Sequence, residues 1–173
     1  MDNSNIKETA ELVAKCFPEQ SFDERMSFWA YKRQHRRCVR FLMRLSGYEP
    51  PLKAWVAIDI DEKIVGTTGV YFTRKDRHEA VWMNWYCVDP DKRGQGIGKA
   101  LIEYAIERAR EYGKKYFRLY TSDFHLEADA QIVYEKYGFK IIRTKKKKDY
   151  TLIYRELKLQ NENECDNLQK SDT

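Results

Sequence analysis

The stretch Val88-Asp89-Pro90-Asp91-Lys92-Arg93-Gly94-Gln95-Gly96-Ile97-Gly98-Lys99 constrains this chain more than any other. Before it, residues 79–88 read as an apolar strand that Asp89-Pro90 stops. After it, Ile97 to Tyr112 carries Leu101, Ile102, Ala105, Ala109 and Tyr112 at helical spacing, with Gly113 placed to end the helix. Three glycines within five positions let the backbone turn sharply and present successive amide N–H groups, and the helix start adds its positive dipole end. Phosphate oxygens are the natural ligand of such a turn, although capping loops use glycine for steric reasons alone. Two other uses are excluded by spelling. There is no Gly-Lys-Ser/Thr ending of an NTPase P-loop, and no dinucleotide pattern with its later acidic ribose partner.

The rest of the chain supplies the frame. Ser4 is placed to cap a helix running to about Phe17, with Ile6, Leu12, Val13 and Phe17 on one side and Pro18 behind it. From Phe22 to Leu45 the apolar residues Phe22, Met26, Trp29, Val39, Phe41, Leu42 and Leu45 flank a polar stretch at 32–37, which predicts two helices or a bend. Gly47 and Pro50-Pro51 then close the helical opening. Residues 54–58 read as a strand, Asp61-Glu62 as a turn and Ile64 to Phe72 as the hairpin partner. Residues 115–121 are strand-like, and 127–137 a short helix ended by Gly138. Residues 139–144 and 150–159 make a last hairpin across Lys145-Lys146-Lys147-Lys148. Beyond Gln160 the Asn/Glu/Asp-rich tail is expected to be disordered. Helices first, then strands interleaved with helices, predict an α/β (α+β) mixed sheet.

Composition narrows the function classes. At 173 residues and 42% hydrophobic, the chain has the length and core formers of one domain. No segment approaches the ~20 apolar residues of a membrane helix, and Met-Asp-Asn-Ser lacks the plan of a signal peptide, so a cytoplasmic protein with no membrane partner is expected. Cys16, Cys38, Cys87 and Cys165 lack metal-ligand spacing and the density of a disulfide scaffold, and His35, His78 and His125 are scattered. Reduced thiols and no metal follow. The charge of +5 gathers at Lys32-Arg33-Gln34-His35-Arg36-Arg37 and at the four lysines, runs that are usually solvated faces.

Arg93-Gly94-Gln95-Gly96-Ile97-Gly98 resembles the acetyl-CoA signature of the GNAT acetyltransferases, Arg/Gln-x-x-Gly-x-Gly/Ala. Residues Ala130 to Phe139, with Tyr134 and the terminal Gly138-Phe139, are similar to that family's later helix. The resemblance covers most of residues 4–159 and implies a central, mostly antiparallel sheet flanked by helices in a single domain. It implies transfer of acetyl from acetyl-CoA to a primary amine within a ternary complex. Amides from Gly94 through Gln95, Gly96, Ile97 and Gly98 to Lys99 would cradle the pyrophosphate, with Arg93 and Lys99 adding charge; Lys92 reads as solvated. The backbone of Tyr86, Cys87 and Val88 would pair with the pantetheine arm like an added strand. The Val88 N–H would polarise the thioester carbonyl, and Tyr134 would protonate the departing thiolate. A phenol near pKa 10 and a thiol near 8.5 suit that transfer.

The attacking amine must first lose a proton, and candidate bases are Glu79, Asp123 and Glu127, with Glu79 at the start of the motif strand. Where some relatives carry a strand base, this chain has Trp82 and Asn84. Glu127 stands where an asparagine often binds the coenzyme. The family's usual first strand has only Met1-Asp2-Asn3 to form it. Cys87 invites an acyl-cysteine route, but no activating histidine lies nearby in sequence. Trp29, Tyr31, Tyr48 and Trp55 are candidates to line the acceptor pocket. Two other readings are a non-catalytic acyl-CoA-binding or sensing domain, and, less favoured, an RNA- or ribosome-binding module. The last hairpin offers an edge for a homodimer.

Overall fold

A computed structural model describes residues 5–18 and 29–159. Their six strands form a sheet in the order β1 (Tyr48–Ile58), β2 (Ile64–Thr73), β3 (Ala80–Val88), β4 (Tyr116–Ser122), β6 (Thr151–Lys158), β5 (Lys140–Lys146). The helices are α1 (Ile6–Cys16), α2 (Arg37–Leu45), α3 (Ile97–Glu111) and α4 (Ala128–Lys136), with residues 29–33 also helical. Pairs β1–β2, β2–β3, β4–β6 and β5–β6 are antiparallel. The chain divides into two compact units, one of Met1–Arg77 with Trp82–Ala105 and one of His78–Val81 with Ile106–Thr173.

In the first unit, α1 buries Ile6, Thr9, Leu12, Val13 and Cys16, a stripe set by the helical period, and packs Leu12, Val13 and Cys16 against Ile64 and Cys87. Asn5 stands at its N-cap but does not cap the first turn with its side chain, and the Thr9 hydroxyl donates back to the Asn5 carbonyl at 2.6 Å. The expected cap, Ser4, lies outside the described residues, as do Phe22, Met26 and the tail 160–173. All six strands follow α1; the question of an earlier strand falls on residues 1–4, which are likewise outside. Strand β2 is buried continuously from Ile64 to Tyr71, the pattern of a strand covered on both faces. That cover is close. A Cβ on Gly66 would lie 2.7 Å from Leu101 Cδ1 and 3.2 Å from the Cys87 carbonyl, so the absent side chain is what lets α3 approach the strand.

One expectation here is corrected. Strand β1 begins at Tyr48 and runs through Pro50–Pro51, which sequence reading placed in a closing turn. The prolines fit because the register jumps from Glu49↔Phe72 to Lys53↔Val70, so the bulge spares them from donating to the ladder. Gln34 takes over there as a surrogate strand: its amide donates to the Leu52 carbonyl at 3.0 Å and accepts from the Leu52 N–H at 2.7 Å. Helix α2 buries only part of its apolar surface. Val39 and Met43 face the core with Leu52 and Tyr71, whereas Phe41, Leu42 and Leu45 are 62%, 51% and 65% exposed.

In the second unit, β4 and β6 pair without a slip from Tyr116↔Lys158 to Ser122↔Leu152. Phe117 and Leu119 are buried from β4, and Phe117 meets Phe139 at 5.7 Å between ring centroids. Strand β5 is exposed along its whole length and ends the sheet. Lys140, Arg143, Lys145 and Lys146 charge that edge against further pairing. Two of the four lysines assigned to the turn therefore belong to the strand. Gly66→Ala should destabilise the fold by about 1–3 kcal/mol through overpacking, measured as a lower urea midpoint at an unchanged slope.

Candidate functional site

In the first unit, the end of β3 and the start of α3 build an anion-ready loop from main-chain groups. Register between β2 and β3 runs Gly66↔Val88 and Thr67↔Cys87, then Gly69↔Asn84, so three steps on β3 answer two on β2. The extra residue is accommodated at Trp85, whose φ of 51° lies in the left-handed region that a tryptophan seldom adopts. This bulge was not foreseen in the sequence. Beyond it, the Asp89 N–H donates to the Val65 carbonyl at 2.9 Å. Because an antiparallel ladder alternates, Val88 one residue earlier turns its own N–H and C=O away from β2. The Cys16 thiol donates to that Val88 carbonyl at 3.4 Å.

The loop then leaves the sheet under a polar tether. Asp89 caps the short 3-10 turn Pro90–Lys92, accepting from the Asp91 N–H at 3.0 Å. Lys15, in the last turn of α1, binds Asp89 and Asp91 at 2.7 Å each. Lys92 reaches Asp59 at 3.1 Å. Next come Gly94 and Gly96 at φ 78° and 82°, where a Cβ would meet nothing within 4 Å. Glycine is needed there for its backbone freedom rather than for room, and the face of the loop is open. Gly96 starts α3 by accepting from the Ala100 N–H at 3.0 Å. The amides of Ile97, Gly98 and Lys99 have no acceptor one helical turn back, which leaves them for a ligand. Tyr86 steadies this start, its hydroxyl donating to the Gly98 carbonyl at 2.9 Å. Gly94 to Gly96 are exposed, Ile97 and Gly98 half-buried, and Arg93, Gln95 and Lys99 exposed, with Lys99 4.0 Å from Glu103.

Cys87 is buried beside Cys16. The hydrogen bond with Cys16, together with burial, pushes the Cys87 thiol up, so it remains a protonated packing group. Of the aromatics expected around an acceptor, Tyr31 meets the bulge residue Trp85 edge-on at 5.7 Å. Trp55 packs on Tyr104, Tyr48 on Tyr71, and Trp29 lies under Arg33. The Trp82 indole donates to Asp76 at 2.9 Å.

In the second unit, Tyr134 is the one fully buried side chain of α4 and stands edge-on to Phe139 at 5.8 Å. Glu127 precedes α4 and is folded back on β4: its carboxylate accepts from the Thr121 hydroxyl, from the Ser122 N–H at 3.0 Å and from the Ser122 hydroxyl. Asp123 accepts from the Thr151 N–H at 2.8 Å, a bond that holds its carboxyl below the usual range. Glu79 pairs with Arg118 at 2.8 Å and keeps half its side chain open to solvent. Neither the Lys15 tether nor the engagement of Glu127 was legible beforehand, since the first joins residues 74 and 76 positions apart. Among the described residues no group of histidine, cysteine and carboxylate ligands could hold a metal ion, and no helix is long and apolar enough to cross a membrane.

The tether has a pH signature. The hydrogen bond from Lys15 holds the Asp89 carboxyl below its ordinary value, so its contribution to stability is present above about pH 3.9 and disappears as pH falls through the lower folded value. Lys15→Met should therefore lower the urea midpoint at pH 7, and the gap to the parent protein should narrow as pH falls below the ordinary aspartate range.

The sequence profile of the acetyltransferase (GNAT) domain matches residues 50–141. N-acetyltransferase 8B of Homo sapiens is 36% identical over 88 residues, covering 50% of this chain and 37% of that protein. Peptidyl-lysine N-acetyltransferase YjaB of Salmonella typhimurium is 32% identical, covering 56% of this chain and 57% of its own. D-amino-acid N-acetyltransferase HPA3 of Saccharomyces cerevisiae is 30% identical, covering 53% and 59%. The matches thus span between 37% and 59% of the length of these relatives. Among solved structures, a GNAT-family acetyltransferase of Staphylococcus aureus superposes with a TM-score of 0.69 at 19% identity, covering 92% of this chain and 96% of that one. An aminoglycoside 6'-N-acetyltransferase complexed with coenzyme A gives 0.66 at 18%, covering 92% and 93%. These structural likenesses speak for the fold. With the profile covering more than half of its length, the chain belongs to the GNAT acetyltransferase domain family.

Proposed function

We propose that this protein is an N-acetyltransferase that moves an acetyl group from acetyl-CoA to a primary amine by direct attack in a ternary complex. The observation that carries the proposal is the run from the Trp85 bulge to the start of α3, where Val88 turns its main-chain amide away from β2 and residues 97–99 present theirs in the first turn of the helix. A diphosphate suits amides at a helix N-terminus, and an open loop face at Gly94 and Gly96 leaves it room. The names of the curated relatives, all N-acetyltransferases, agree with this chemistry. The catalytic domain is proposed to run over residues 4–159, in a cytoplasmic setting.

In the proposed reaction the amine nitrogen attacks the thioester carbonyl carbon and the Val88 N–H stabilises the oxyanion. Collapse breaks the carbon–sulfur bond, and Tyr134 donates its proton to the thiolate, leaving an amide and free coenzyme A. Residues 94–99 bind the pyrophosphate, Arg93 and Lys99 screen phosphate charge, and the backbone of Tyr86 to Val88 pairs with the pantetheine arm. Glu79 is proposed as the base, relayed by water; it pairs with Arg118 and keeps half its side chain in solvent, whereas the carboxylates of Asp123 and Glu127 accept from the backbone of Thr151 and Ser122. The Glu127 carboxylate, spent on Thr121 and Ser122, supports a role in holding the approach to α4 more than one in contacting the coenzyme.

Free thiol released from acetyl-CoA in the presence of an amine panel tests the activity, and release should depend on the amine. Binding of coenzyme A without such release would instead sustain the binding or sensing reading. Tyr134→Phe should lower kcat by about 100-fold while leaving the acetyl-CoA KM within a small factor. Gly96→Ala, which meets no neighbour but forces a side chain to φ 82°, should weaken coenzyme binding about tenfold, read by calorimetry.

A further inference from the structure

Helix α4 is poorly held by apolar packing. Of its nine residues only Tyr134 is fully buried, and Ile132 is 68% exposed. A helix with one buried and a few half-buried side chains is weakly held against rolling and sliding unless something else fixes it, since most helical stability in proteins comes from an extended buried face. That something is polar. Arg155, in the middle of β6, is 3% exposed and sends its guanidinium to this helix and to the turn behind it. Its Nε and a terminal nitrogen donate to Gln131 Oε1 at 3.0 and 2.8 Å, the same terminal nitrogen reaches Glu135 at 2.9 Å, and the other donates to the Phe139 carbonyl at 3.3 Å.

The contacts bracket Tyr134 on both sides. Gln131 lies three residues before it and passes the restraint on, its amide donating to the Ser122 carbonyl of β4 at 2.9 Å. Glu135 is the next residue after it. Phe139, whose carbonyl Arg155 binds, donates its own N–H to the Tyr134 carbonyl at 2.9 Å and packs its ring against the phenol. A buried guanidinium is expensive to desolvate, and an apolar side chain of similar volume often serves stability as well. What a well-packed apolar residue does not provide is direction: a planar fork with fixed donors sets both the rotation and the axial position of the helix it grips.

We propose that Arg155 is the positioning residue for Tyr134, setting through Gln131, Glu135 and Phe139 where the phenol stands; the proposal rests on the reading of Tyr134 as the proton donor to the leaving thiolate. Arg155 touches neither coenzyme nor acceptor in this scheme and acts only through the helix. Glu127 bonds β4 just before the first end of α4, and the Arg155 contacts lie at the segment that carries Tyr134.

The test is a double-mutant cycle on the full chain with acetyl-CoA and the best amine of the panel, run on Arg155→Met, Tyr134→Phe and the double variant, with Arg155→Lys and Gln131→Leu as milder forms. Arg155→Met should lower kcat at least about tenfold with the acetyl-CoA KM within about threefold, and the double variant should be no slower than Tyr134→Phe alone. Arg155→Lys, which keeps the charge but loses the fork, should recover only part of the rate. If Arg155→Met does not fold, Gln131→Leu takes its place in the cycle with the same expectation. Additive losses in the double variant, or a loss carried by KM, would overturn the positioning role. Full activity of Tyr134→Phe would instead remove the proton-donor reading, and the proposal with it.

Discussion

Main-chain amides can bind a ligand only if the fold leaves them unspent and still holds them rigid. At the end of β3 these demands conflict, because the usual way to fix a backbone is to hydrogen-bond it. The chain anchors the residues on either side of the turn. Asp89 bonds to Val65 and so turns Val88 outward, Lys15 ties Asp89 and Asp91 to α1, and the Tyr86 hydroxyl grips the Gly98 carbonyl just inside the helix. The Trp85 bulge sets the phase of this arrangement, since removing one residue from β3 would point Val88 toward β2 and return its N–H to the ladder.

The second unit meets a related problem with side chains. The short helix α4 buries Tyr134, yet little of its surface is apolar. Glu127, Gln131 and Arg155 supply hydrogen bonds where burial is lacking. In both units, chemically distinctive residues of the motifs are held by partners outside the motifs: a lysine from the first helix in one case, an arginine from the last strand in the other.

Much of the architecture was legible beforehand because it rests on local periods and breakers. Helix α3 follows from Leu101, Ile102, Ala105 and Ala109, its start from Gly96, and the strand before it from an apolar run halted by Asp89-Pro90. The errors have common physical origins. Pro50–Pro51 looked like a terminator, but a bulge and the Gln34 amide relieve the missing donors. Of the apolar residues Val39, Phe41, Leu42 and Leu45, only Val39 joins the core, because α2 offers its neighbours the narrow stripe of Val39 and Met43. The polar stretch 32–37, read as a break, is one.

By itself the sequence determined where the elements lie, that three glycines open a turn before a helix, and which motif residues resemble those of the acetyltransferases. Those features depend on neighbours within a few positions, whose steric and hydrogen-bonding preferences act before the chain is compact. Only the tertiary structure decided that Lys15 closes on Asp89 and Asp91, that Trp85 absorbs an extra residue, that Glu127 turns back on Thr121 and Ser122, and that Arg155 grips α4. Each of these depends on register between strands or on which side chains a particular packing brings within about 3 Å, and no local pattern encodes that distance.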